Sequence, residues 1–257
     1  MHETSVSILS SGSCGNSLLV RRAETVILLD AGLACRELEK RVSCFGVDPT
    51  QVAGVVLTHE HIDHIRGVRR FCAVHKIPVY GTRGTLALTD LDGTDKRVMT
   101  SGKDFSIGNI RLRPFKVRHL AAEPVGFTLA LGDARVGVAS DLGCVTANVV
   151  EEMSGLDLML VEANYDERML LEGAYPEFLK RTIKGDHGHL SNEDAGLLTS
   201  KSSSSRTRNV VLVHLSAENN TPDKACSAVE ESLRKHHRSV QVSASEHGMM
   251  SGPYKLG

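Results

Sequence analysis

Between Thr58 and His64 the chain packs three histidines and two acids, His59, Glu60, His61, Asp63 and His64, into seven positions. So dense a set of metal-ligand side chains constrains everything around it. The apolar run Val55-Val56-Leu57 reads as a buried strand leading into the cluster, and Ile65 to Phe71 can open a helix behind it. The cluster is therefore expected on a strand-to-helix turn, not inside a helix. His59 and His61 stand two apart, which suits an extended or turning backbone, whereas His-Glu-x-x-His sites put both histidines on one helical face. Imidazole nitrogen suits zinc, and added carboxylate oxygen widens the range to manganese and iron.

The same pattern of a strand ending in chemistry recurs along the chain. Thr25 to Leu29 is a buried run that ends in Asp30, Val136 to Ala139 ends in Asp141, and Asn209 to Val213 presents His214. A carboxylate at a strand end can bridge two cations because its two oxygens accept from different directions, which makes Asp141 the candidate bridge. His119 follows the predicted strand from Phe115, and His187 and His189 precede a helix capped by Ser191 or Asn192. Strand ends converge on one edge of a sheet, so residues spread over most of the chain can meet there. The early turn Ser10 to Asn16 is rich in small residues, so Asn16 is a candidate backbone-level ligand contact.

His59-x-His61-x-Asp63-His64 resembles the signature of the metallo-β-lactamase superfamily. That resemblance implies an α/β (α+β) class chain folded as a four-layer αββα sandwich, with residues 1–257 forming one such domain. It implies two divalent ions per chain, Zn2+ or Mn2+. His59, His61 and His119 would hold the first, Asp63, His64 and His214 the second, and Asp141 would bridge them. It also implies that Asp30 supports the site from behind, as carboxylates do that orient ligating histidines. Two ions about 3.5 to 4 Å apart would activate a hydroxide for hydrolysis at neutral pH.

The segments Ser11 to Ser17, Glu162 to Asp166, Gly188 to Asn192 and His214 to Asn220 further resemble the YycJ/WalJ-like branch. Membership there implies a phosphodiesterase, a DNA exonuclease working from the 5′ end with a link to mismatch repair. Leu120 stands where that branch has an acid after the third metal histidine, and His187 where it has an arginine. The catalytic candidates are Asp63 and His189, the latter as proton donor or phosphate clamp. Arg66, Arg69 and Arg70 behind the motif, and Lys180, Arg181 and Lys184 before His189, are candidate phosphate contacts for a DNA substrate, with RNA possible.

At 257 residues with 41% hydrophobic composition the chain can bury one sizeable core. Its net charge of −1 excludes a general nucleic-acid coat protein but not a local basic groove. Its six cysteines lack any Cys-x-x-Cys pair. No apolar run suggests a membrane span, so a cytoplasmic enzyme is expected. The alternative within the same metal chemistry is a small-molecule hydrolase of thioesterase or lactamase type, because fold and ligands alone do not choose the substrate. Helices are expected over Ala34 to Phe45 and Pro222 to Arg234, and the serine-rich Lys201 to Arg208 is expected to be a surface loop.

Overall fold

The structure is a computed structural model and describes residues 4–256. Its first sheet contains β1 (Thr4–Ser10), β2 (Ser17–Arg22), β3 (Thr25–Leu29), β4 (Val52–Val56), β5 (Val79–Gly81) and β6 (Lys96–Val98). The second contains β7 (Phe105–Ile107), β8 (Ile110–Lys116), β9 (Val125–Leu131), β10 (Ala134–Ala139), β11 (Leu158–Glu162), β12 (Asn209–Val213) and β13 (Gln241–Ala244). A last strand, β14 (Ser251–Lys255), returns to the first sheet beside β1, so both sheets have seven strands. The helices are α1 (Cys35–Cys44), α2 (Ile62–Ile65), α3 (Val68–His75), α4 (Arg83–Leu88) and α5 (Ala147–Glu152). They continue as α6 (Glu167–Glu172), α7 (Glu177–Lys184), α8 (Asn192–Ser202) and α9 (Pro222–Lys235).

The alternation within single strands explains the layers. Ile27 and Leu29 of β3 face a core shared with Leu158 and Leu160 of β11 and Val211 and Val213 of β12. Their neighbours Val26 and Leu28 face the opposite way, against Leu38 and Val42 of α1 and Phe71 of α3. Met159 and Val161 of β11 likewise pack against Leu198 of α8 and Val229 of α9. A strand buried on both faces has no polar position, which is why these runs read as continuously apolar. The result is an αββα sandwich with its central core between the sheets.

Strand direction then collects the site. β3 and β4 are parallel, as are β10, β11 and β12, and β8 shares their direction because both it and β10 are antiparallel to β9. Their C-terminal ends therefore open on one edge. Three residues just past those ends, Asp30, Asp141 and His214, have left-handed φ of 60°, 55° and 56°. Such conformations cost on the order of 1 to 3 kcal/mol each in a non-glycine residue and concentrate at functional sites.

Several expectations change here. Asp63 and His64 lie inside the single turn of α2, so only His59 and His61 occupy the extended entry to the motif. Ser202, Ser203 and Thr207 are buried, and α8 runs on to Ser202, so Lys201 to Arg208 is not a simple surface loop. Ser203 Oγ donates to Thr199 O, and Ser202 Oγ to Val150 O, which lets a polar stretch sit inside. The short α5 and the C-terminal strand β14 carry no strong periodic signal, and tertiary pairing alone makes them regular.

Candidate metal centre and its pocket

Thr58, directly after β4, anchors the motif. Its backbone N–H donates to Asp30 Oδ1 and its hydroxyl to Asp30 Oδ2, both at 2.8 Å. With its proton so used, Thr58 Oγ1 accepts from His59 Nδ1 at 3.0 Å. Asp30 Oδ2 also accepts from His64 Nδ1 at 2.8 Å. Gly32 brings this support close: a Cβ there would lie 1.7 Å from Asp63 O. Only glycine allows the two loops to touch.

The remaining histidines are held in the same manner. His61 Nε2 donates to Leu120 O at 3.0 Å, His119 Nδ1 to Gly188 O at 3.0 Å, and His214 Nδ1 to Glu162 Oε1 at 2.8 Å. Each of the five candidate ligand histidines thus commits one ring nitrogen to an oxygen, which fixes its tautomer and leaves the other nitrogen's lone pair facing the cluster. Ligand atoms of His59, His61 and His119 lie within 4.8 Å of one another, and so do those of Asp63, His64 and His214. Asp141 groups with His59 and His64, and again with Glu162, His189 and His214. It therefore sits between the two triads.

A cation fits this arrangement. His59 Nε2, His214 Nε2 and Asp141 Oδ2 are buried without a hydrogen-bond partner, a costly state unless something else satisfies them. Four buried or half-buried carboxylates, Asp30, Asp63, Asp141 and Glu162, surround the same point, a charge that two divalent ions would balance. The field acts on the protein's own groups. Burial opposes charge on His64 and His214, yet Asp141 leads the carboxylates that hold both imidazoles well above their ordinary range. Burial likewise opposes charge on Asp141, but His214 and His64 hold its carboxyl well below the usual carboxylate range. His59 and His119 are instead pushed down by burial, which keeps them neutral as ligation requires.

Glu162 is a candidate site residue that the sequence reading does not single out. It is completely buried, and its Oε1 accepts from His189 Nδ1 at 2.7 Å as well as from His214 Nδ1. Its Oε2 accepts the backbone N–H groups of Leu142 and Leu190. Against the cost of burial, the charge of His189 and the hydrogen bonds from His189 and His214 bring its carboxyl down to about 2. The available signal was positional: Glu162 ends β11 between the parallel strands that deliver Asp141 and His214.

A cavity of about 500 Å3 covers the cluster, and His61, Asp63, His119, Asp141, His187, His189 and His214 all line it. His189 is aimed by Glu162 and by close packing of its loop. Gly188 supplies close approach rather than conformational freedom, since a Cβ there would meet Ile183 O at 2.1 Å. Asn16 is placed against the ligands instead of along the cavity, its Nδ2 lying 3.1 Å from Asp63 Oδ2 and 3.0 Å from His64 Nε2. Arg66, Arg69 and Arg70 are not among the lining residues. Arg66 donates to Cys14 O and Arg69 pairs with Asp90. Lys180 is buried with its ammonium on Leu171 O, and Lys184 pairs with Glu167. Most of these cations are thus already occupied within the protein.

An αββα sandwich with a histidine and carboxylate cluster at its strand ends defines a hydrolase of the metallo-β-lactamase fold. The chain belongs to that superfamily: residues 25–215 match the β-lactamase superfamily domain. It is 34% identical over 234 residues to the exodeoxyribonuclease YycJ of Bacillus anthracis, covering 89% of each chain. It is 32% identical over 243 residues to the exodeoxyribonuclease WalJ of Streptococcus pneumoniae, covering 92% of this chain and 90% of the relative. Zn2+-bound PqqB from Methylobacterium extorquens has the same fold, with a TM-score of 0.71 at 16% identity over 96% of this chain and 99% of that one. Among the described residues no helix is long and apolar enough to cross a membrane, and all six cysteines are free thiols.

Proposed function

We propose that the protein is an exodeoxyribonuclease that removes nucleotides from the 5′ end of DNA, in the cytoplasm and in support of mismatch repair. The observation that carries this reading is near full-length similarity to two proteins named exodeoxyribonucleases, together with the double ligand cluster. His59, His61 and His119 would hold one divalent ion, Asp63, His64 and His214 a second, with Asp141 between them. Zinc or manganese there would supply Lewis-acid polarisation of the phosphate and a water of lowered pKa.

The chain's own residues do the rest. Asp30 and Glu162 hold His64 and His214 in the tautomer that presents a lone pair inward. Asp63, half-buried and facing the cavity, orients the attacking water and takes its proton as the new P–O bond forms. His189, turned by Glu162, donates a proton to the leaving oxygen as the old P–O bond breaks. His187 is an exposed contact for a neighbouring phosphate. Incubating the purified protein with Mn2+ or Zn2+ and end-labelled single- and double-stranded DNA and RNA tests the reading. A ladder shortening from the 5′ end of DNA is expected. Hydrolysis of thioesters or lactams with intact polynucleotides would establish the small-molecule alternative instead.

A further inference from the structure

The cavity over the ligand cluster has a chemistry that phosphate binding does not explain. Among the described residues no lysine or arginine lines it, whereas Ile62, Leu120, Tyr175, Leu179, Ile183 and Leu215 do. Ile62 and Leu120 are 63% and 59% exposed, although each directly follows a candidate metal ligand, His61 and His119. Single exposed apolar residues are ordinary, but here they line the same cavity as Tyr175 and two side chains of α7. Leu120 keeps its backbone busy, its carbonyl accepting from His61 and its N–H donating to His187 O, so its side chain alone is free to meet a ligand.

We infer that these apolar lining residues receive the terminal nucleobase of the strand being cut, so that the enzyme acts on an unpaired end. The inference rests on the nuclease reading above and adds how the substrate is held. An enzyme that removes successive nucleotides must accept every base. Contact with a base's π-face is sequence-tolerant, whereas a pocket built of hydrogen-bonding groups would select among bases. The volume of about 500 Å3 lies in the range that encloses one small-molecule-sized unit. A base still paired would bring its partner with it, so the end must first be single-stranded or frayed, as enzymes acting on bases also require. The cluster then takes the phosphate that joins this nucleotide to the rest of the strand.

The test compares single-stranded oligonucleotides that differ only in a normal or an abasic 5′-terminal nucleotide, cut by the Mn2+-loaded protein and by Leu120→Ser and Tyr175→Ala. For the wild type, the abasic end should raise KM by about 5- to 150-fold, the range of one stacked base, with kcat nearly unchanged. Each variant should raise KM for the normal end and leave the abasic end unaffected, with metal content as in the wild type. Leu120 is exposed, so its replacement disturbs no core. Equal KM values for normal and abasic ends would overturn the inference while leaving the nuclease reading intact. Absence of cleavage of both oligonucleotides and of duplex DNA would overturn the nuclease reading, and the inference with it.

Discussion

His214 donates from Nδ1 to a completely buried Glu162 at 2.8 Å, so the orientation of the last candidate ligand is set by a residue outside both histidine-bearing triads. Glu162→Gln keeps the shape but removes the charge that holds both His214 and His189. Metal affinity should fall by about 10- to 100-fold, the usual loss when a ligand's outer partner is changed. Competition with a chromophoric chelator measures it; unchanged affinity would show that Glu162 only fills space.

Asp141 lies between the two triads, so its neutralisation should cost one ion before the other. Mass spectrometry of metal content should find two ions per chain in the wild type and fewer in Asp141→Asn. Thermal unfolding should show the same order, because an ion bound only to the folded state raises the midpoint and a chelator removes that gain. A wild type that takes no more than one ion would end the two-metal reading.

His189 and His214 share a carboxylate oxygen but are proposed to have different roles. His189→Ala should retain both ions and near-normal DNA binding while kcat falls by about 10²- to 10⁴-fold, the usual contribution of a general acid. His214→Ala should lose metal as well as activity. Metal loss from His189→Ala would make it a ligand.

Gly32→Ala tests the contact between the loop after β3 and the motif. A methyl group 1.7 Å from Asp63 O cannot be accommodated without moving the turn that carries Asp63 and His64. The variant should lose metal affinity and about 1 to 3 kcal/mol of stability. Wild-type metal binding would show that the two loops separate at little cost.

Cys72 provides a pH test independent of the site. Burial pushes its thiol from 9.0 up to about 12, with Cys35 adding to the shift. The folded state therefore holds the proton more tightly than the unfolded chain. Stability should be unaffected by this group below about pH 9 and then decline by about 1.4 kcal/mol per pH unit as only the unfolded thiol ionises. Denaturant titrations from pH 8 to 11 should show that decline, and Cys72→Ala should make it shallower, with the raised thiols of Cys35 and Cys226 supplying the remainder.

The residues that announce this protein do so because their chemistry is local. His59, His61, Asp63 and His64 fall within one strand end and one helical turn, so their crowding is visible in the chain itself. Asp30, Asp141 and His214 were legible for a related reason: each follows an apolar run buried on both faces, and such runs end at a sheet edge. Glu162 ends a run of the same kind, yet its function depends on β11 lying between β10 and β12, a strand order that no local pattern contains. The basic residues show the converse. Arg69 and Lys184 read as free cations until the fold sets Asp90 and Glu167 beside them. Side-chain type and periodicity are properties of neighbours in sequence, whereas pairing of charges and the walls of a cavity are properties of neighbours in space. The exposed faces of Ile62 and Leu120 over the ligand cluster belong to the second kind, and only the packed sandwich brings them together.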